Sequence, residues 1–270
     1  MNHSTRQLLL DLNRQFYATV ADDFDVTRLN VPMGMVRVLN YVRPLVKDGG
    51  MGRWGDGENN LPPSPHLPIS PLTALDAGCG NGRFCWALEQ LETAVAYLGI
   101  DADDQLLAHA SEHTKSLQHV RAEFSKINLA EPTIPHSAFR TPHFDLVTCF
   151  AVLHHMPGYE LRLQIVRWLA SLLQPQGVML LSTWQFFNSP RLVAKQLEWS
   201  SVGVDANEIE AGDALLPWNQ GNYAIRYAHQ IDEDELRQLA KDADLLVKEI
   251  YYADGKEGNL NLYGVLGKVS

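Results

Sequence analysis

From Leu72 onward, short apolar runs alternate with amphipathic stretches, and the last two runs are separated only by the turn-forming DGKEGN. LTALDA, VAYLGID, HVRAEF, FDLVTCFAVL and VMLLSTW read as strands. FCWALEQL, DDQLLAHASEHTKSL, ELRLQIVRWLASLL and DEDELRQLAKDA read as helices. Parallel neighbours need a long crossover, so repeated β–α units require an α/β chain with a mostly parallel sheet and helices on both faces. LLVKEIYYA and NLYGVLGKV lie too close in sequence for a crossover and must pair antiparallel. The expectation is a three-layer, seven-stranded sheet with an antiparallel last strand.

The rest of the chain divides by composition. Residues 1–47 read as helical: Leu8, Leu9, Leu12, Phe16 and Val20 recur at helical spacing, as do Val36, Leu39 and Val42, and Pro32 marks a helix start. Residues 48–71 are rich in Gly, Pro, Asn and Ser and read as a flexible linker. Residues 72–270 form the principal domain, with an insertion at 185–229 between the fifth strand and the last helix. The formal charge of −10, from 22 basic against 32 acidic residues, disfavours bulk nucleic-acid binding but leaves room for a local basic patch. No apolar run reaches the roughly 18 residues that span a bilayer, and the start lacks a signal peptide, so a cytoplasmic location without membrane attachment is expected. The three cysteines have no CxxC spacing and the ten histidines form no HExxH or HxH array; no metal is expected.

Three motifs carry chemistry. In LDAGCGNGRF, residues 75–84, a strand feeds a glycine turn that opens a helix, the place where open α/β sheets bind ligands. Gly78, Gly80 and Gly82 let backbone approach a ligand. The GxGxG spacing departs from the dinucleotide fingerprint GxGxxG, with Arg83 at the divergent position. Asp76 suits a cation or ammonium better than a pyrophosphate. Asp101, ending the second strand, can accept both hydroxyls of a ribose. In HFDLVTCFAVLHHMPG the fourth strand ends near Phe150, and His154 and His155 follow, placed to orient an acceptor or act as a base.

LDAGCGNG, GIDAD, FDLVTCFAVLHHM and LLQPQGVMLLSTW together resemble the successive motifs of class I S-adenosylmethionine-dependent methyltransferases, over about residues 72–184. The resemblance implies a Rossmann-like methyltransferase fold with strand order 3-2-1-4-5-7-6 and S-adenosyl-L-methionine as cofactor. Asp76, Gly78, Cys79 and Gly80 would face its methionine part. Asp101 and Ala102 would lie at the ribose, Phe150 would line the groove, and Asn128 stands where the family often has an adenine-binding Asp. Apart from the resemblance, the apolar stripes of residues 1–47 need a partner surface, so this segment is expected to fold back as a lid over the cofactor. A narrower resemblance, carried by FYATVADDFDVTR, AVLHHM, STWQF, GDALLPW and YAIRYAHQIDEDEL, is to the tRNA wobble-uridine carboxymethyl methyltransferases. It implies tRNA as substrate, a methyl ester as product and a small activator protein as partner.

A carboxylate acceptor is ionised at neutral pH and needs orientation rather than deprotonation. Arg28 and Arg226, with Tyr227 and His229, are the residues expected to orient it, beside His154 and His155; Trp184 and Trp218 could stack on a base. The alternatives are a class I methyltransferase of a small-molecule acceptor, a cofactor-binding protein without catalysis, and a nicotinamide dehydrogenase. The acidic charge favours the small molecule. The terminal segments favour tRNA.

Overall fold

The structure, a computed structural model, describes residues 1–28, 30–47, 70–131 and 143–269. Residues 48–69 of the expected linker lie outside them. Three helices come first: α1 (His3–Val26), α2 (Met33–Arg37) and α3 (Leu39–Lys47). The α/β unit then runs β1 (Leu72–Ala77), α4 (Phe84–Glu89), β2 (Val95–Asp101), α5 (Asp104–Thr114), β3 (Val120–Lys126), β4 (Phe144–Phe150), α6 (Tyr159–Ser171) and β5 (Leu173–Trp184). After it come α7 (Pro190–Val193), β6 (Asp213–Trp218), β7 (Ala224–His229), α8 (Glu233–Asp242), β8 (Leu245–Ala253) and β9 (Asn261–Lys268).

Seven strands form one sheet in the order β3-β2-β1-β4-β5-β9-β8. The pairs from β3 to β5 are parallel, and β9 runs antiparallel to both neighbours. This is the expected order, with the last two strands renumbered because the insertion contains a hairpin of its own, β6–β7. One sheet face buries Leu163, Val166 and Leu169 of α6 with Leu236 and Leu239 of α8. The other buries Phe84 and Leu88 of α4 with Leu39 and Val42 of α3.

The segment expected to act as one lid therefore divides. Val42 is fully buried in the sheet core, so α3 is part of a packed layer. Helix α1 stands apart from the sheet. Asn2 caps it by accepting the Thr5 N–H at 2.8 Å. Its buried stripe is Leu9, Asn13, Phe16 and Val20, with Leu8 exposed at 37%. Leu9 packs with Leu215 and Tyr227 of the hairpin, and Phe16 and Val20 pack with Trp218. Asn13 sits on this apolar stripe because both ends of its amide are bonded: Nδ2 donates to the His155 carbonyl (3.1 Å) and Oδ1 accepts the Tyr227 N–H (2.8 Å).

An ion-pair network roots the hairpin in the α/β unit. Arg162, 1% exposed on α6, donates to Glu210 and to Glu235 of α8, each at 2.8 Å. His229 of β7 lies between Asp213 and Glu235, 2.7 Å from each, and the Tyr227 hydroxyl donates to Asp213 at 2.6 Å. The carboxylates on both ring nitrogens raise the His229 pKa against the opposing effect of burial.

Candidate active site

A cavity of about 620 Å³ opens at the carboxyl ends of β1, β2 and β4, roofed by one face of α1 and by the hairpin. Its floor is the turn after β1. Gly78 (φ +73°) packs so closely on Val152 that a Cβ would meet Val152 Cγ2 at 2.2 Å. Gly80 (φ +54°) differs: a Cβ there would meet no protein atom within 4 Å, so its backbone borders open cavity. Asp101 braces this turn from β2, with Oδ2 accepting the Gly80 N–H at 2.9 Å and Oδ1 accepting the Asp103 N–H at 3.0 Å. Each oxygen keeps a lone pair for a further donor, the arrangement a pair of vicinal hydroxyls requires.

Asp76 is 3% exposed and held by the Tyr97 hydroxyl (2.7 Å) and the Thr148 hydroxyl (2.6 Å). Burial outweighs those hydrogen bonds and pushes its carboxyl up to about 6. Cys79 and Ala102 border the same space, but burial raises the Cys79 thiol pKa, leaving it a thiol rather than a nucleophile. Phe150, 7% exposed, meets the Phe84 ring edge-on at 5.0 Å. Asn128 lines the cavity with Oδ1 engaged by the Ala130 N–H at 3.0 Å, so the amide presents donors where a carboxylate would present acceptors. The cavity volume, the unfilled space at Gly80, the two Asp101 oxygens and the buried Asp76 carboxylate fit a cofactor that carries an ammonium group and a ribose.

At the other end the cavity is cationic and aromatic. Arg226, 8% exposed, lies with its guanidinium carbon 4.4 Å from the Trp184 ring centre, 5.2 Å from Phe16 and 5.7 Å from Trp218. Its Nε has no hydrogen-bond partner, and burial lowers its pKa to about 10. Arg28 lies over Phe24 at 4.7 Å and lines the same space. Arg83 also lines it, an arginine that sequence reasoning noted only as a non-glycine.

The two histidines line the cavity but have partners. His155 Nδ1 lies 3.1 Å from the Tyr227 carbonyl oxygen, which requires a proton on Nδ1 and leaves Nε2 to accept from the Tyr17 hydroxyl at 2.8 Å. Burial drives its pKa down to about 3. His154 Nδ1 accepts the Trp184 N–H at 3.3 Å, so its proton lies on Nε2, and burial holds its pKa well below the ordinary value. As a pair they are neutral scaffolding with one outward donor, not a ready base. Tyr227 and His229, expected beside Arg226, lie outside the cavity because successive strand residues face opposite ways. Tyr17 was missed, although it stands on the same α1 face as Asn13 and Phe24 and bonds His155 directly.

Residues 75–179 match the family model described as "Methyltransferase domain". A ubiquinone biosynthesis O-methyltransferase of Nitrosospira multiformis is 28% identical over 186 residues, which cover 68% of this chain and 67% of that protein. One of Histophilus somni is 32% identical over 115 residues, covering 43% and 46%. In fold, the chain is similar to magnesium protoporphyrin IX methyltransferase from Synechocystis, solved with bound SAH (TM-score 0.55, 18% identity, 94% and 97% covered). It is also similar to a Pyrococcus horikoshii protein (TM-score 0.57, 15% identity, 90% and 94% covered). With the sheet order, the glycine turn and the family match over residues 75–179, the chain is a class I S-adenosylmethionine-dependent methyltransferase.

Proposed function

We propose that this methyltransferase acts on an oxygen of a small anionic acceptor, a carboxylate, held between Arg226 and Arg28. One observation carries the reading. Arg226 is a buried cation facing the cavity, with no carboxylate within ion-pair distance among the described residues. An uncompensated buried charge costs several kcal/mol, and a bound anion would offset it. The three aromatic rings hold the guanidinium plane for such a group.

S-adenosylmethionine, when bound, supplies a methyl group on a sulfonium sulfur, and transfer leaves a neutral thioether. Asp76 and Asp101 would hold the ammonium and the ribose. Arg226 and Arg28 would fix the acceptor, and α1 with the hairpin would exclude water. A carboxylate oxygen reacts without losing a proton, which accords with histidines whose basic nitrogens are already engaged.

The relatives' names, O-methyltransferases of ubiquinone biosynthesis, support the small-molecule alternative. They offer no counterpart to the wobble-uridine reading or to its activator partner. Purified protein is incubated with methyl-labelled cofactor and, separately, with small carboxylic acids, small phenols and bulk tRNA. Label on the carboxylic acids, released as methanol by mild alkali, is the expected result. Alkali-stable label on the phenols overturns the carboxylate assignment, and label on tRNA alone overturns the small-molecule reading.

A further inference from the structure

We propose that Asp25, His109 and His113 form a binding site for a zinc-type divalent cation that fastens the end of α1 to α5. His109 and His113 stand four residues apart on α5, one turn above the other on one face. Asp25 reaches them from the last turn of α1 and is 8% exposed. His109 Nδ1 and His113 Nε2 each lie 3.7 Å from the same oxygen, Asp25 Oδ2. That is too long for a hydrogen bond. Two ligands of a tetrahedral ion with bonds of about 2.1 Å stand about 3.4 Å apart, close to this spacing. The three donor atoms lie within 4.8 Å of one another.

The outer contacts separate this cluster from a chance grouping. Each proposed ligand is held through its other polar atom. His109 Nε2 lies 3.0 Å from Asp22 Oδ1, the carboxylate–histidine pairing that turns the opposite nitrogen toward a metal. His113 Nδ1 faces the Asn81 carbonyl oxygen at 3.3 Å, leaving Nε2 for the ion. Asp25 Oδ1 accepts from Asn81 Nδ2 at 2.8 Å, leaving Oδ2 for it. The other histidine–carboxylate group, Glu210, Asp213 and His229, fails this criterion. Both His229 nitrogens are 2.7 Å from carboxylates, and Arg162 and Tyr227 engage the remaining acids.

Three protein ligands leave a fourth position for water, and His109 and His113 are 32% and 21% exposed on their side chains, open to entry. The site lies outside the cavity, but Asn81, which donates to Asp25 and to the Arg28 carbonyl, lines the cavity, as does Arg28. This departs from the metal-free expectation, which sought HExxH and HxH and passed over a HxxxH pair whose third ligand comes from a different helix.

The test titrates cobalt(II) into metal-stripped full-length protein, followed by its visible absorption. One equivalent with the strong bands of a four-coordinate nitrogen–oxygen site is expected. His109→Gln and His113→Gln should each weaken binding by at least about 100-fold, and Asp22→Asn by about 10- to 100-fold through its hold on His109. His119→Gln, a histidine paired with Glu89 elsewhere, should leave binding unchanged. As a second readout, zinc should raise the Tm of the parent protein and not that of the His109→Gln variant. Unchanged cobalt binding in both glutamine variants overturns the proposal, as does a parent protein that binds neither ion at sub-millimolar concentration.

Discussion

Asp101 Oδ2 accepts the backbone N–H of Gly80 at 2.9 Å, so the acid ending β2 holds the glycine turn after β1 in shape. The two strongest sequence signals are thus one mechanical unit. Gly80→Val should suffer twice: a β-branched residue at φ +54° is strained, and its side chain would occupy the space open at Gly80. Asp101→Ala removes the brace and the hydroxyl acceptors together. Hydrogen bonds to a charged group are worth about 1.5–3 kcal/mol, so calorimetric titration should show S-adenosylmethionine affinity reduced at least about tenfold in each variant. Undiminished affinity in both would sink the cofactor assignment.

Asp76 predicts how cofactor affinity varies with pH. Its carboxyl titrates at about 6 in the free protein, and an ammonium group binds its ionised form. Binding must then release a proton below pH 6. Affinity should be level above that pH and fall as pH drops below it, approaching tenfold per unit. The ammonium and α-carboxylate of the cofactor keep their charges between pH 4.5 and 7 by ordinary values, about 8 and about 3.5, so the slope would belong to the protein. Asp76→Asn should bind weakly with no such slope, and a slope that survives in it would assign the proton elsewhere.

What the sequence revealed, and what it hid, follows one physical division. LDAGCGNG, Asp101 and the C-terminal strand pair were legible because local rules govern them: a glycine turn, a strand end, a loop too short for a crossover. The β6–β7 hairpin was not, because the apolar residues of GDALLPW and YAIRYAHQ divide between two distant partners, one side packing on α1 and the other on Trp184 at the end of β5 and Phe186 after it, instead of following one β–α unit. Missing that hairpin placed Arg226, Tyr227 and His229 on one surface, whereas strand alternation sends Arg226 to the cavity and its neighbours into the ion-pair network. In α1 the apolar periodicity favoured Leu8, but the buried stripe passes through Asn13, whose partners are 142 and 214 residues away in sequence.

Arg226→Lys tests the guanidinium plane with charge retained. The Trp184 and Trp218 rings, 4.4 and 5.7 Å from the guanidinium carbon, suit a flat, weakly hydrated cation, and an ammonium cannot replace its fork. The acceptor KM should rise at least about tenfold, corresponding to about 1.4 kcal/mol, with cofactor affinity unchanged. Arg226→Met, which removes the buried charge and keeps much of the volume, should lower acceptor binding further while leaving the folded protein at least as stable. Equal acceptor KM in parent and lysine variant would remove Arg226 from substrate recognition.

The Tyr17–His155 contact sets the acid stability of the roof. His155 is bonded on both nitrogens as a neutral ring, and its pKa falls to about 3 in the folded protein from an ordinary 6.5. His154 is shifted in the same direction. As pH falls below about 6.5, the unfolded chain takes up protons that the folded chain refuses, so stability declines from there toward pH 3. Asp76 works in the opposite sense: its folded value of about 6 exceeds its ordinary 3.8, so protonation favours the folded state between those two values. Asp101 and His229, whose values are also raised, act with Asp76, whereas Glu210, held low by Arg162, acts with the two histidines, so the histidine contribution is isolated by substitution. His155→Gln removes one of the two. Its stability at pH 7.5 should fall by about 1–3 kcal/mol, because the Tyr17 hydroxyl and the Tyr227 carbonyl lose well-placed partners. Urea unfolding at pH 7.5 and pH 5 should then show a smaller drop between the two conditions in the variant than in the parent. An identical drop in both proteins would show that His155 is not the group whose protonation opens the roof.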